Sequence, residues 1–170
     1  MSLLLDLAEY DGKSVEVLER IRDRYPPDSE LLSQLVPLAA AEDTNVQAGA
    51  TWLLRAHLRL GVAAGAADVR TLASLLGEIT SPWAKLHVCQ SLEHLEVPEE
   101  DADRFADFLR ACVADPNTFV RAWATDGFCR LASTHRHLAS EAKALLESAL
   151  ADPAASVRAR ARRTLSDGVI

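Results

Sequence analysis

Two similar segments, each predicted to start a helix, recur 37 residues apart in this chain. The first, Asp115–Arg121, reads Asp-Pro-Asn-Thr-Phe-Val-Arg, and the second, Asp152–Arg158, reads Asp-Pro-Ala-Ala-Ser-Val-Arg. In each copy Asp is predicted to be the N-cap, because its carboxylate accepts a free backbone N–H and suits the positive end of a helix. Pro then takes the first helical position, where no N–H is needed. A signal repeated at a fixed period constrains the fold more than a single motif, because each unit predicts its neighbours.

Two weaker copies lie upstream of these segments. Ser81–Lys85 aligns Ala84 with Val120, and Asp43–Gln47 aligns Val46 with the same position. The four anchor positions are therefore 46, 84, 120 and 157, with spacings of 38, 36 and 37 residues. The recurrence predicts a helical hairpin about every three dozen residues.

On these residues the chain resembles the HEAT-repeat family, which stacks helix pairs whose second helix starts with D-P-x-x-x-V-R. The likeness extends over about residues 28 to 166. It implies an all-α fold, an α-solenoid in the form of a right-handed superhelix, with about four HEAT-like helix pairs and an N-terminal capping pair. The single domain, 1–170, would comprise the cap 1–27 and the repeats 28–61, 65–97, 98–133 and 137–167. The family's repeated arginine, matched by Arg121 and Arg158, pairs with acidic groups of neighbouring repeats.

Composition agrees with helix throughout. Apolar residues make up 49% and charged residues 25%, which argues against disorder. Alanine and leucine dominate, and both favour helix. A net charge of -7 opposes non-specific attraction to nucleic acid or anionic lipid. Three cysteines without a C-x-x-C motif argue against a disulfide framework or a zinc site and favour reduced thiols in the cytoplasm. No apolar run reaches the ~20 residues that a membrane-spanning helix needs, and residues 1–10 lack the basic start of a secretory signal.

Hydrophobic periodicity predicts the individual helices. They are expected at 2–10, 14–25, from 28 or 29 past Pro37, at 45–60, 67–79, 82–96, from Pro98, and at 116–132, 138–151 and 153–166. In the second of these, the inward residues are Leu18 and Ile21 with either Val15 or Val17. In the last, Val157, Ala161 and Leu165 are expected to be buried.

The face of each second helix opposite its buried line follows from the ~100° turn per residue. It comprises Ala48, Thr51, Trp52 and Arg55; Leu86, Cys89, Gln90 and Glu93; Ala122, Thr125, Asp126 and Cys129; and Ala159, Arg162, Arg163 and Ser166. In the family the second helices line the concave surface, so the resemblance implies a binding groove here. The residues predicted to bind a partner are Trp52, Arg55, Arg59, Gln90, Glu93, Asp126, Arg162 and Arg163.

Trp52 is the predicted anchor of this groove, because a large aromatic side chain facing away from the core is a candidate binding residue. The alternatives are that the N-terminal cap covers it or that the helix is rotated. Trp83 and Trp123 are instead expected to fill the packing between repeats. The basic cluster from Arg158 to Arg163 is either a solvated terminal face or a patch for phosphate or an acidic partner.

No catalytic, cofactor or metal site is predicted. The chain has no Gly-rich phosphate loop, no G-x-S-x-G and no H-E-x-x-H motif. His135 and His137 lack an acidic or cysteine partner at helical spacing. His57 falls on a core position of its helix.

The predicted function is that of a non-enzymatic scaffold for protein–protein interaction. It would bind another protein or a peptide, and not nucleic acid or a membrane, as a monomer or weak homodimer. The alternative is a HEAT-like DNA alkyl-base glycosylase, with Trp52, Asp126, Arg162 and Arg163 as its groove residues. The acidic net charge and the absence of basic residues from the middle of the groove argue against that alternative. Chromophore lyases also carry such repeats, but no residue here favours them.

Overall fold

The computed structural model describes residues 2–170, which form ten α-helices and no strand. The helices are α1 Leu3–Leu7, α2 Val15–Arg24, α3 Ser29–Leu38, α4 Thr44–Arg59, α5 Ala66–Leu75, α6 Pro82–Ser91, α7 Ala102–Val113, α8 Thr118–Thr134, α9 Ala139–Leu150 and α10 Ala155–Ser166. Short 3-10 turns cover 76–78, 99–101 and 136–138. The all-α prediction is confirmed.

The helices pack in a repeated order along the chain. Helix α4 packs against α6, α6 against α8, and α8 against α10. On the other side, α3 packs against α4, α7 against α8, and α9 against both α8 and α10, while α5 contacts both α3 and α7. Helices α1 and α2 pack against α4. We call α4, α6, α8 and α10 the second helices, and α3, α5, α7 and α9 the first helices.

The anchor positions form the buried start of each second helix. Val46, Ala84, Val120 and Val157 are all at most 3% exposed. In the N-terminal pair, Val17 lies against the core whereas Val15 is 47% exposed, so Val17 is the inward residue of the two that the sequence allowed. Leu165, expected in the core, is 52% exposed, because α10 packs only on α8 and α9 among the described helices.

The predicted caps Asp115 and Asp152 are not at the N-cap positions. Asn117 caps α8, accepting from the Phe119 and Val120 backbone N–H groups at 2.9 and 3.4 Å. Asp115 instead accepts the Asn117 N–H at 2.9 Å. Asp152 makes the same bond to the Ala154 N–H, at 2.8 Å.

The Asp-Pro step therefore makes a turn before the helix. An aspartate that binds the N–H two residues ahead closes an Asx turn, which delays the start of the helix. Pro116 and Pro153 consequently precede α8 and α10, whereas Pro82 occupies the first turn of α6 after its cap, Ser81. Helices α5 and α6 are also shorter than predicted, since they end at Leu75 and Ser91.

The residue after each anchor links its helix to neighbouring turns, and we call Gln47, Lys85, Arg121 and Arg158 the linking residues. Gln47 is 2% exposed. Its amide nitrogen donates to the carbonyl oxygens of Ala41, at 2.9 Å, and Glu78, at 3.1 Å. Its amide oxygen accepts the N–H groups of Thr80 and Ser81, both at 3.0 Å. Gln47 thus joins the turn before α4 to the turn before α6.

Lys85 and Arg121 repeat this link one pair further along the chain each time. Lys85 Nζ lies 3.2 Å from Asp115 Oδ2, and Arg121 Nη2 lies 3.3 Å from Asp152 Oδ1. Arg121 also donates to the Asp115 carbonyl, at 3.2 Å, and Arg158 donates to the equivalent Asp152 carbonyl, at 2.7 Å. Arg121 therefore pairs with an acid of the next helix pair, as the resemblance implied, while Arg158 donates to the Asp152 and Pro153 carbonyls of its own pair.

We predict that Gly127→Ala destabilises the fold. A Cβ atom at Gly127 would lie 2.9 Å from the backbone oxygen of Cys89, so α6 and α8 would have to separate. Alanine gains ~1 kcal/mol of helix propensity over glycine, but overpacking costs about 1–3 kcal/mol. Urea unfolding should show a net loss of stability. Gly77→Ala is the control because a Cβ there meets open space; equal stabilities of the two variants would contradict the prediction.

We predict that Gln47→Leu lowers the free energy of unfolding by at least ~3 kcal/mol. The change leaves two carbonyl groups and two N–H groups without their partner, and each buried unpaired group costs ~1–3 kcal/mol. Gln34→Leu on α3 introduces the same side chain at an exposed glutamine. Chemical unfolding of both variants measures the difference, and a loss below 1 kcal/mol for Gln47→Leu would show that the link is dispensable.

Candidate functional site

The second helices α4, α6 and α8 leave only a narrow strip of their surface open, whereas α10 packs only on α8 and α9 and exposes more of its surface. One side of α8 packs on α7 and α9, and two further sides pack on α6 and α10. Half of the sixteen predicted groove positions, Asp126 among them, lie in these helix–helix contacts. Ala48, Thr51, Leu86, Cys89, Ala122, Thr125 and Cys129 are all buried, so their assignment to an open groove was wrong. The prediction assumed one buried stripe per helix, whereas three sides of α8 are covered by other helices.

The open strip runs along positions four and seven residues apart, which lie on one side of a helix. From α4 to α10 it comprises Trp52, Arg55, Arg59, Trp83, Gln90, Glu93, Phe119, Trp123, Arg160 and Arg163, which we call the open face. Six of these residues were predicted. Trp83, Phe119, Trp123 and Arg160 were missed, although Trp83 and Phe119 occupy the same repeat position directly before an anchor.

Asp126 is not part of the open face, contrary to the prediction. It is 1% exposed. Thr164 donates to its Oδ1 at 2.7 Å, and Arg130 donates to its Oδ2 at 2.7 Å. Arg130 also lies 3.5 Å from Glu93. Asp126 therefore joins α8 to α10 below the surface, and both of its carboxylate oxygens are already occupied.

At the N-terminal end of the open face, Trp52 lines a cavity of about 310 Å³ together with Arg22, Arg55, Arg59, Ala56 and Leu60. Trp52 is half-buried and packs against the core, so it is neither fully covered by α2 nor fully exposed. Arg55 is half-buried too, and burial, followed by the charge of Arg59, lowers its pKa. Within residues 2–170 Arg55 has no hydrogen bond or ion pair.

The middle of the open face is aromatic and acidic. Trp83 is 49% exposed, so it does not fill the packing between helix pairs as expected. Gln90 is half-buried, and the Glu93 side chain is 45% exposed. The only cation of α6, Lys85, is bound to Asp115. This part of the face therefore offers aromatic and carboxylate groups but no unpaired cation.

At the C-terminal end, Phe119 and Trp123 line a cavity of about 320 Å³ between α8 and α10. Phe119 is 55% exposed. The Arg160 guanidinium lies 3.5 Å from the centre of the Trp123 ring, in a cation–π contact. Arg162 is exposed, and Arg163 binds Asp167 at 3.0 Å. This end combines an accessible ring with a stacked ring and arginines.

Charge is distributed unequally between the second helices and the rest of the chain. The second helices contain nine of the 18 lysine and arginine residues but one of the 25 acidic residues, the buried Asp126. Three of the nine are the linking residues Lys85, Arg121 and Arg158. The others lie at or near the open face, which is therefore positive at its two ends although the chain as a whole carries a charge of -7.

The reactive side-chain types lie below the surface. Cys89, Cys112 and Cys129 are buried free thiols. Burial and the charge of Asp126 raise the pKa of Cys129 to about 12, which opposes formation of a thiolate. His57 is buried as predicted, but neither of its ring nitrogens has a hydrogen-bond partner in the described chain, and burial lowers its pKa.

His135 and His137 do have acidic neighbours, which come from the preceding helix pair and not from the same helix. Glu99 lies 3.7 Å from His135 and 3.5 Å from His137, and Asp103 lies 3.2 Å from His137. The sequence could not show these contacts, because they join residues more than 30 positions apart.

His87, beneath the open face, makes stability depend on pH. Its Nδ1 lies 3.2 Å from Thr51 Oγ1, and burial, followed by the charge of Arg55, lowers its pKa to about 3. Histidine in an unfolded chain titrates near ~6.5. Between these two values the unfolded chain binds a proton that the folded chain does not, so stability is lost as the pH falls below ~6.5.

We therefore predict that the free energy of unfolding is lower at pH 5 than at pH 7 by on the order of 2 kcal/mol. His87→Asn removes the titrating group and should reduce this difference, as measured by urea unfolding at both pH values. His94→Asn, at an exposed histidine of the same region, should leave the difference unchanged. A difference that His87→Asn does not reduce would contradict the assignment to His87.

In residues 2–170 no helix combines the length and the apolar character needed to cross a membrane. The same residues contain no group of three or more histidine, cysteine, aspartate or glutamate side chains placed to hold a metal ion. Comparison of the chain with protein-family models, with curated proteins and with solved structures finds no match.

Proposed function

We propose that this protein is a non-enzymatic scaffold that binds another protein through its open face. The observation that carries the proposal is the pair Trp83 and Phe119, which are 49% and 55% exposed at the same position of successive helix pairs. Large exposed aromatic residues are the side chains that most often anchor protein interfaces. Here they recur along one surface, next to Trp123 and the half-buried Trp52.

We further propose that the helix pairs form an α-solenoid of the HEAT type, a right-handed superhelix with α1 and α2 as its N-terminal cap. Two features support this proposal. The second helices contact one another in chain order, and the linking residues connect the turn of one pair to the turn of the next. In such a stack the second helices provide one extended surface, and surfaces of this kind bind partners.

The glycosylase alternative receives less support than binding. Asp126, the acid that this alternative would use, is held by Thr164 and Arg130 and is 1% exposed. Open-face cations are limited to the two ends, whereas a DNA-binding face is continuously basic.

The three buried free thiols are compatible with a reducing compartment, so we propose a cytoplasmic location.

We predict that peptides selected for binding to this protein will need Trp83 and Phe119. Twelve-residue peptides displayed on phage would be selected on the immobilised chain, and synthetic copies titrated by fluorescence anisotropy. Truncating two interface aromatics costs ~1–2 kcal/mol each, so Trp83→Ala/Phe119→Ala should weaken binding by tenfold or more.

The matched control is Leu5→Ala/Val15→Ala, which removes two exposed apolar side chains of the N-terminal pair. This variant should bind the peptides as the wild type does. Circular dichroism of both variants checks that the helices remain. Peptides that bind the Trp83→Ala/Phe119→Ala variant as tightly as the wild type would place the binding surface elsewhere and overturn the proposal.

A further inference from the structure

The cavity around Trp52 carries information about the chemistry of the partner. It lies between the end of α2, which contributes Arg22, and the last turns of α4, which contribute Arg55 and Arg59. Trp52 and Leu60 provide apolar walls. Three guanidinium groups thus surround a space of about 310 Å³ whose remaining lining is mostly apolar.

Arg55 lacks the ion pairs that Arg130 and Arg121 make, the backbone bonds of Arg158 and the ring contact of Arg160, which are the other half-buried arginines of the second helices. Arg130 has Asp126, Glu93 and Asp167 within 4 Å, and Arg121 has Asp152. Arg55 has no such partner in the described chain. The charge of Glu93 acts on Arg55, but less than burial and the charge of Arg59 do. A partly desolvated cation without an ion-pair partner raises the free energy of the unbound protein, and an anion that binds it removes this cost.

Two neighbouring cations, Arg22 and Arg59, add to the positive charge that Arg55 gives the cavity. Arg59 is exposed and has no hydrogen bond or ion pair within residues 2–170, while Arg22 binds Asp23, an exposed residue adjacent to it in sequence, at 2.9 Å. The charges of Arg55 and Arg59 repel each other. No acid lines the cavity. Two like charges held side by side there favour a carboxylate, which can accept from two guanidinium groups at once.

We infer that the partner presents an acidic peptide segment, with one or more carboxylates bound by Arg55 and Arg59 and an adjacent apolar side chain packed on Trp52. This inference rests on the proposed function, because it names the chemistry that the open face recognises. It assigns the cavity between α2 and α4 as the acid-binding end of that face.

The middle of the open face favours a peptide over a nucleic acid. A polynucleotide would carry phosphates past Glu93, whose side chain is 45% exposed, and past α6, whose only cation is bound to Asp115. Continuous phosphate binding needs a continuous basic groove. A peptide can place carboxylates at the arginine end and aromatic or aliphatic side chains at Trp83, so it fits the observed distribution of charge.

The test uses the peptides selected as described above. We expect the selected pool to be enriched in aspartate and glutamate relative to the starting library. A synthetic copy of one peptide should bind Arg55→Gln/Arg59→Gln at least tenfold more weakly than the wild type, in line with the cost of losing charge-assisted contacts. Replacing the acids of this peptide by their amides should weaken binding to the wild type similarly and should not weaken it further in the variant.

The matched control is Arg20→Gln/Arg136→Gln, which removes two exposed arginines outside the open face. It should bind the peptide as the wild type does. A second readout does not depend on binding geometry: because Arg55 is unpaired, Arg55→Gln should leave the Tm unchanged or raise it. The acidic peptide should raise the Tm of the wild type but not that of Arg55→Gln/Arg59→Gln.

Three results would overturn the inference, and they can be told apart. Peptides that need Trp83 and Phe119 but are not acidic, and that bind Arg55→Gln/Arg59→Gln normally, would leave the proposed function standing and remove the acidic partner. Peptides that ignore Trp83 and Phe119 would remove both. A twelve-residue oligothymidylate that binds more tightly than the acidic peptide, and depends on Arg55 and Arg59, would assign the cavity to nucleic acid instead.

Discussion

The packing of this protein depends on one polar position, the residue that follows each buried anchor. At Gln47 a single amide satisfies four backbone groups of two different turns, and this residue is 2% exposed. Buried backbone groups must find partners, and those of a turn are not all paired by the turn itself. Lys85 and Arg121 also join one helix pair to the next, but each does so by an ion pair with an aspartate of the next pair. The bonds between pairs therefore fix where each helix pair lies on its neighbour.

This close attachment determines how much of each second helix remains free for function. Side-by-side packing of α4, α6, α8 and α10 buries positions that an isolated helix pair would expose, among them Thr51, Cys89 and Asp126. The approach is so close at Gly127 that no side chain fits against the Cys89 carbonyl. What remains is a strip about one residue wide per turn. The exposed rings of Trp83 and Phe119 and the arginines of the open face are not explained by packing in the core, which is why they carry the functional argument.

The repeat period made the helices and their core predictable, whereas the open face was only partly predictable. Val120 and Phe128 follow from spacing alone, because burial against the helix of the same pair has a fixed period. Asp126 did not, because its burial comes from Thr164, 38 residues away. The Asp115-Pro116 step matched a helix start, yet its Asx turn placed the cap two residues later, at Asn117. Short-range signals thus located the helices, and contacts between pairs decided which side chains stayed exposed.

The unpaired Arg55 has a consequence for how stability and binding divide between residues. A fold held by the linking residues can tolerate one cation that costs free energy, because that cation makes no hydrogen bond or ion pair between helix pairs within residues 2–170. Such a residue lowers the stability of the unbound protein and raises the affinity of a complex. Its desolvation cost is already present before binding, so a carboxylate that pairs with it does not add that cost. Arg130 already has three carboxylates within 4 Å, so it is not available to a carboxylate of a partner. Two arginines of the second helices, Arg130 on α8 and Arg55 on α4, therefore have opposite roles. Arg130 is paired within the chain and is structural, whereas Arg55 is left for a partner.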